Sequence, residues 1–133
     1  MADAFAPRLA VLLAEDDPLQ LMSASAALRE AGFDVAEAST VEAAQGHLAQ
    51  RSEIAAMIAD VDLGGDPLTG FTLAKAVAAR WPEVAILIVS GVAWPGEGQM
   101  PVGAHFLPKP FEPEALVVAL RTALAARGVG LQP

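Results

Sequence analysis

Two acidic clusters, one hydroxyl and one ammonium stand out in this chain: Glu15-Asp16-Asp17, Asp60-Val61-Asp62, Ser90 before Gly91, and Lys109 between Pro108 and Pro110. Carboxylates with no thiolate nearby suit a hard cation such as Mg²⁺, usually held by one or two carboxylates, water and a phosphate oxygen. A lysine and a hydroxyl facing that ion can hold the remaining oxygens of a phosphoryl group. A carboxylate placed there can also attack phosphorus, because a metal neutralises the charge between attacking and leaving oxygens. Each piece has a plainer reading too. Glu15-Asp16-Asp17 alone reads as a solvated loop with Asp17 capping a helix. Asp60 and Ser90-Gly91 read as turn residues, and Lys109 as a solvated lysine. Position in the fold decides between these readings.

Three apolar runs of six lie just before the reactive residues or close to them: LAVLLA at 9–14, IAAMIA at 54–59 and VAILIV at 84–89. Runs without alternation suit strands buried on both faces, as in a parallel sheet covered by helices. DVAEA at 34–38 alternates like an edge strand, and AHFL at 104–107 forms a short fifth strand. Between them lie helical patterns. One covers 18–31, capped by Asp17, with Pro18 at its first position and Gly32 as its stop. The next opens at Ser39 with Glu42 three residues on, a capping box, and puts Val41, Ala44 and Leu48 on one face. A third covers 71–81 and stops before Pro82, and a fourth covers 112–128 with Leu116, Leu120 and Leu124 on one stripe. Ligands of an open parallel sheet bind outside the carboxyl ends of its strands. Four strands therefore deliver the two acid clusters, Ser90 and Lys109 to one rim. Trp81, at a helix end, is expected to pack against the rim.

Composition limits the alternatives. The 133 residues make one domain of ordinary size, with 54% hydrophobic and 5% aromatic residues, so small aliphatic side chains fill the interior. A formal charge of −8 without a basic block argues against nucleic acid or an anionic membrane as partner. The absence of cysteine excludes disulfides and thiolate metal sites, and the apolar run at 9–14 is too short for a signal core or a membrane span. These features predict a cytoplasmic protein. His47 and His105 have no partner at ligand spacing and are assigned no metal or catalytic role.

LLAEDDPL, IADVDLGG, ILIVSG and FLPKPF, in this order, resemble a response-regulator receiver domain of two-component signalling (CheY-like superfamily) over residues 8–126, with 1–7 and 127–133 as flexible tails. The intervals of 44 residues from Asp16 to Asp60 and 30 from Asp60 to Ser90 match that family. The resemblance implies a doubly wound, flavodoxin-like α/β fold with a five-stranded parallel sheet in the order 2-1-3-4-5. It implies that Asp16, with Glu15 beside it, Asp60 and the backbone carbonyl of Asp62 hold Mg²⁺. Asp60 would accept the phosphoryl group from a histidine kinase, a histidine phosphotransfer protein or a small phosphodonor, and Ser90 and Lys109 would bind its oxygens. Ser90 and Phe106 would form the switch, with Phe106 equally readable as plain core. The side chain of Asp62 would be free to tune access of water, Asp66 would be solvated loop, and the Lys109–Pro110 peptide would be accessible to the cis state. Such a protein is no enzyme beyond its own phosphorylation and dephosphorylation. It signals through an unknown downstream protein, as a monomer or weak dimer.

Two departures from the family bear on output. The loop from Asp60 to Gly70 is longer than usual, and the 19 residues from Ser90 to Lys109 are fewer than usual. With four glycines and two prolines in 91–103, the fourth helix is expected to be short or irregular. This segment either orders on phosphorylation or gives up that face for output, and Trp94 within it is either an exposed interaction residue or a lid. No DNA-binding or enzymatic output domain is expected, so the chain reads as a single-domain regulator or a piece of a hybrid kinase. A different class competes through the Asp60-x-Asp62 motif, which resembles haloacid-dehalogenase-like phosphatases. Gly64, the late position of the motif and the lack of a cap domain stand against it. A degenerate receiver acting as a phosphorylation-independent docking module is the remaining alternative, and the intact set of acids, hydroxyl and lysine argues against it.

Overall fold

The computed structural model describes residues 8–64, 68–91, 95–96 and 98–129. Five strands form one sheet: β1 (Ala10–Ala14), β2 (Asp34–Ala38), β3 (Ile54–Asp60), β4 (Ala85–Ser90) and β5 (His105–Pro108). All pairings are parallel and the order is β2-β1-β3-β4-β5. Helices α1 (Pro18–Glu30), α2 (Val41–Gln50) and α3 (Thr69–Arg80) make the first three crossovers, and α4 (Pro113–Ala126) follows β5.

Helices on both faces explain why the central strands do not alternate. Ala10, Leu12 and Ala14 of β1 face one apolar cluster, shared with Ala44 and Leu48 of α2 and Leu73, Ala74 and Val77 of α3. Val11 and Leu13 face the other, with Leu28 of α1 and Leu116, Leu120 and Leu124 of α4. Leu12, Ile58 and Ile88 are fully buried, each worth about 2 kcal/mol of apolar burial. β2 is the edge strand, but its burial does not alternate as its sequence suggests. Val35 and Ala36 are both buried, one on each face, and only Asp34 and Glu37 are exposed, because helices cover this strand on both sides as well. Asp34 N donates to Leu9 O and Glu15 N donates to Ala38 O, so Val35 and Glu37 turn their backbone groups outward. Those two carbonyls are covered: Val35 O accepts from Arg29 Nη2 at 3.2 Å, and Glu37 O from His47 Nε2 at 3.0 Å.

Local chemistry sets the helix ends. Asp17 caps α1 as expected, its Oδ1 accepting from the N–H groups of Leu19 and Gln20. In α2 the cap is Thr40 rather than Ser39. The Thr40 backbone is extended and its Oγ1 accepts from Ala43 N at 3.1 Å, so the capping box expected between Ser39 and Glu42 gives way to a cap one residue later. α3 starts at Thr69, two residues before the expected start, without a side-chain cap at Leu68. Its first turn runs against β3: a β-carbon on Gly70 would lie 2.2 Å from Asp60 O. Trp81 closes α3 beneath the Arg80 guanidinium, 4.6 Å from its ring centroid, and packs on the α2–α3 side of the core. Because α3 leads there into the start of β4, Trp81 lies at the end of the sheet opposite the carboxyl rim, not on the rim.

Between β4 and β5 the described residues form turns and no helix, with Gly98 and Gly103 at positive φ and Met100 packed on the core. Glycine meets these φ values without steric cost. Trp94 and Asp66 lie outside the described residues. Of the residues expected to be tail, Arg127 donates from Nη1 to Pro82 O at 2.6 Å and Val129 packs on the α1–α4 side of the core. Residues 1–7 and 130–133 lie outside the described residues.

Candidate functional site

Asp60 and Ser90 are the last residues of β3 and β4, while Glu15 and Lys109 directly follow β1 and β5. The sheet register puts Asp60 beside Val89 and Ser90 beside Pro108, so Ser90 stands one residue further along the neighbouring strand. Buried strands carry their polar ends to the rim with little water: Glu15, Asp60 and Ser90 are 4%, 7% and 3% exposed. Asp16, the next residue after Glu15, is exposed.

One oxygen each of Glu15, Asp16 and Asp60 lie within 4.8 Å of one another. The Lys109 ammonium donates to Asp60 Oδ2 at 3.2 Å, to Glu15 Oε1 at 3.1 Å and to Gln20 Oε1. Backbone N–H groups hold three of the other carboxylate oxygens. Asp62 N donates to Asp60 Oδ1 at 3.3 Å, Gly64 N to Asp16 Oδ2 at 3.0 Å, and Asp17 N to Glu15 Oε2 at 3.1 Å. The backbone of Lys109 is itself tied to β4, its N–H donating to Ser90 O at 2.8 Å, and the Lys109–Pro110 peptide is cis.

Electrostatics follow from burial and from these neighbours. Burial pushes the Glu15 carboxyl above its ordinary value of 4.5; the Asp17 N–H pulls the other way and the charge of Asp60 adds to the rise. For Lys109, burial acts to lower the pKa, but the pull of Asp60 and Glu15 outweighs it and holds the ammonium above 10.5. Three carboxylates and one ammonium carry formal charges that sum to −2. An all-oxygen donor set with that charge fits a divalent hard cation such as Mg²⁺.

The structure thus brings Glu15, Asp16, Asp60 and Lys109 together and sets Ser90 beside them. Asp62 is half-buried, and its Oδ1 is buried without a hydrogen-bond partner. Phe106 is half-buried and packs on the α2–α3 side of the core. Three further contributors are assigned no site role from sequence: Gln20, which reaches Lys109; Gly64, within IADVDLGG, whose N–H meets Asp16; and Gly70, whose missing side chain lets α3 touch Asp60. A polar residue in the otherwise apolar stretch PLQLM, one turn after the acids, is the only sequence signal for the first.

The sequence profile of the response regulator receiver domain matches residues 11–121. No curated protein matches the chain. Among solved structures, the chain is 30% identical to the chemotaxis response regulator CheY4 of Vibrio cholerae, with TM-score 0.75, covering 88% of this chain and 99% of that one. It is 28% identical to a response regulator receiver protein from Sinorhizobium medicae WSM419, with TM-score 0.79, covering 90% and 97%. It also shares the fold of part of NtrX from Brucella abortus (19% identity, TM-score 0.78), covering 92% of this chain but only 28% of that one.

Proposed function

The chain belongs to the response-regulator receiver domain family, and from that premise we propose that it is a phosphoacceptor whose nucleophile is Asp60. Family membership replaces the phosphatase reading of the Asp60-x-Asp62 motif. The observation that carries the proposal is the nearly buried Asp60 carboxylate at the end of β3, 3.2 Å from Lys109 and within 4.8 Å of both other acids. A structural ion pair would need one acid; a third, exposed carboxylate at this distance adds repulsion unless a cation comes between.

In this reading an Asp60 oxygen attacks the phosphorus of a phosphohistidine. The P–N bond breaks, the imidazole keeps the electron pair, and Asp60 becomes an acyl phosphate. Glu15, Asp16, Asp60 and the Asp62 carbonyl would hold Mg²⁺, which when bound would offset the charge of the phosphoryl oxygens. Lys109 passes from Asp60 Oδ2 to a phosphoryl oxygen, and the Ser90 hydroxyl donates to another. Movement of Ser90 draws in Phe106, and the changed surface is read by a partner protein. The donor is a histidine kinase or a histidine phosphotransfer protein. The folded unit runs from 8 to at least 126, with Arg127 and Val129 also in contact with it, and its lack of cysteine suits a reducing cytoplasm.

Incubation with phosphoramidate or acetyl phosphate and Mg²⁺, followed by intact mass measurement, tests this. One phosphoryl adduct is expected on wild type and none on Asp60→Asn or in excess EDTA. A wild type that stays unmodified would leave the docking module as the better reading.

A further inference from the structure

The Lys109 ammonium has three acceptors on three different elements: Glu15 after β1, Asp60 at the end of β3 and Gln20 in the first turn of α1. An ammonium has three donors, so all are used. Two of the acceptors are carboxylates, whose charge the ammonium offsets. The third is a neutral amide, and what it contributes is geometry. Lysine carries its charge on a flexible stem. Two anchors leave it free to turn about the line between them, and a third removes that freedom.

Gln20 is held in its turn. Its Nε2 donates to Asp17 Oδ2 at 3.2 Å, while Asp17 Oδ1 accepts from the N–H groups of Leu19 and Gln20. Its neighbours also fix which way the amide faces, because a flipped amide would put a donor against the ammonium. The cap of α1, the Gln20 amide and the Lys109 ammonium therefore form one chain of contacts ending at Asp60.

We propose that Gln20 is a positioning residue for phosphoryl uptake, holding the Lys109 ammonium where a phosphoryl oxygen on Asp60 will meet it. The inference rests on the phosphoacceptor reading. When Asp60 bonds to phosphorus its carboxylate loses charge and with it much of its hold on Lys109. During that transfer Glu15 and Gln20 keep the ammonium aimed at the phosphoryl oxygen that takes the place of Asp60 Oδ2.

Gln20→Met tests this, because methionine keeps the length and helix compatibility of the side chain and leaves the backbone bonds to Asp17 Oδ1 intact. Adduct formation from phosphoramidate at saturating Mg²⁺ is followed by intact mass in wild type, Gln20→Met, Lys109→Met and the double variant. The rate should fall about fivefold in Gln20→Met, the worth of one net hydrogen bond. It should fall no further when Gln20→Met is added to Lys109→Met, and the unfolding midpoint and calorimetric Mg²⁺ affinity of Gln20→Met should match wild type. An unchanged or faster rate in Gln20→Met, or an equal loss in both backgrounds, overturns the inference. If wild type labels and Gln20→Met labels equally fast, only the inference fails; a wild type that does not label ends both it and the functional reading.

Discussion

Lys109 Nζ and Asp60 Oδ2 lie 3.2 Å apart across 49 residues of sequence, brought together by the parallel order β3-β4-β5. With Glu15 as the second partner of Lys109, this makes a largely buried ion triad, in which removing one member leaves the others uncompensated.

Lys109→Met should therefore act in opposite directions in two assays. The site charge goes from −2 to −3, so Mg²⁺ affinity, read by calorimetry, should rise about tenfold through stronger Coulomb attraction. The rate of adduct formation should fall by at least about tenfold, because no ammonium remains for the phosphoryl oxygens. Parallel loss in both assays would mean that the variant had only disturbed the fold.

Gly70 is the point where α3 rests on the nucleophile strand. Its added β-carbon would stand 2.2 Å from Asp60 O and 2.4 Å from Val61 Cα, both backbone atoms that cannot swivel aside. Gly70→Ala should cost about 3 kcal/mol, read as a lower urea midpoint, and should slow labelling of Asp60 as the end of β3 shifts. Gly46→Ala, at a helical position with open space for a methyl group, serves as the control and should be neutral or stabilising.

Metal-free protein should grow more stable on mild acidification. The Glu15 carboxyl titrates above 4.5 in the folded state because of burial, so the folded chain binds that proton more tightly than the unfolded chain. Stability then rises as pH falls from the raised folded value to 4.5, and Glu15 adds nothing further below that. Urea unfolding in EDTA across this window should show the rise in wild type and a smaller one in Glu15→Gln. A slope of the opposite sign, with no difference between the two, would count against the assignment.

The edge of the sheet should be opened by two substitutions. Arg29 and His47 cover the two outward carbonyls of β2, and a bare edge is a template for a second strand. The double variant Arg29→Ala, His47→Ala should show a higher mean molar mass than wild type at equal concentration in sedimentation equilibrium. Identical masses would show that the covering side chains do not limit edge pairing.

Much of this protein was legible before folding. Six-residue runs such as LAVLLA and VAILIV read as strands buried on both faces because no polar side chain interrupts them, and both clusters of the core confirm it. DVAEA is an edge strand as expected, although helices cover both of its faces and Val35 and Ala36 are both buried. Where two neighbouring residues offered the same chemistry, sequence chose wrongly: Ser39 and Thr40 both carry a hydroxyl, and only the backbone angles at the turn select Thr40. Residue type alone does not say where the Asp62 side chain goes, and the fold leaves one of its oxygens buried.

The sequence by itself determined which residues stand at strand ends, since apolar periodicity and breakers act over a few residues and do not depend on the rest of the chain. It thereby named Glu15, Asp16, Asp60, Ser90 and Lys109. Only the tertiary structure decided how they meet: the separations of 94 positions from Glu15 to Lys109 and 89 from Gln20 to Lys109 are closed by sheet register and helix packing. Such contacts depend on ångström-scale placement of elements and on side-chain rotamers, and no local pattern encodes them. That is why Gln20 and Gly70, with no motif to announce them, were found only beside Lys109 and Asp60 in space.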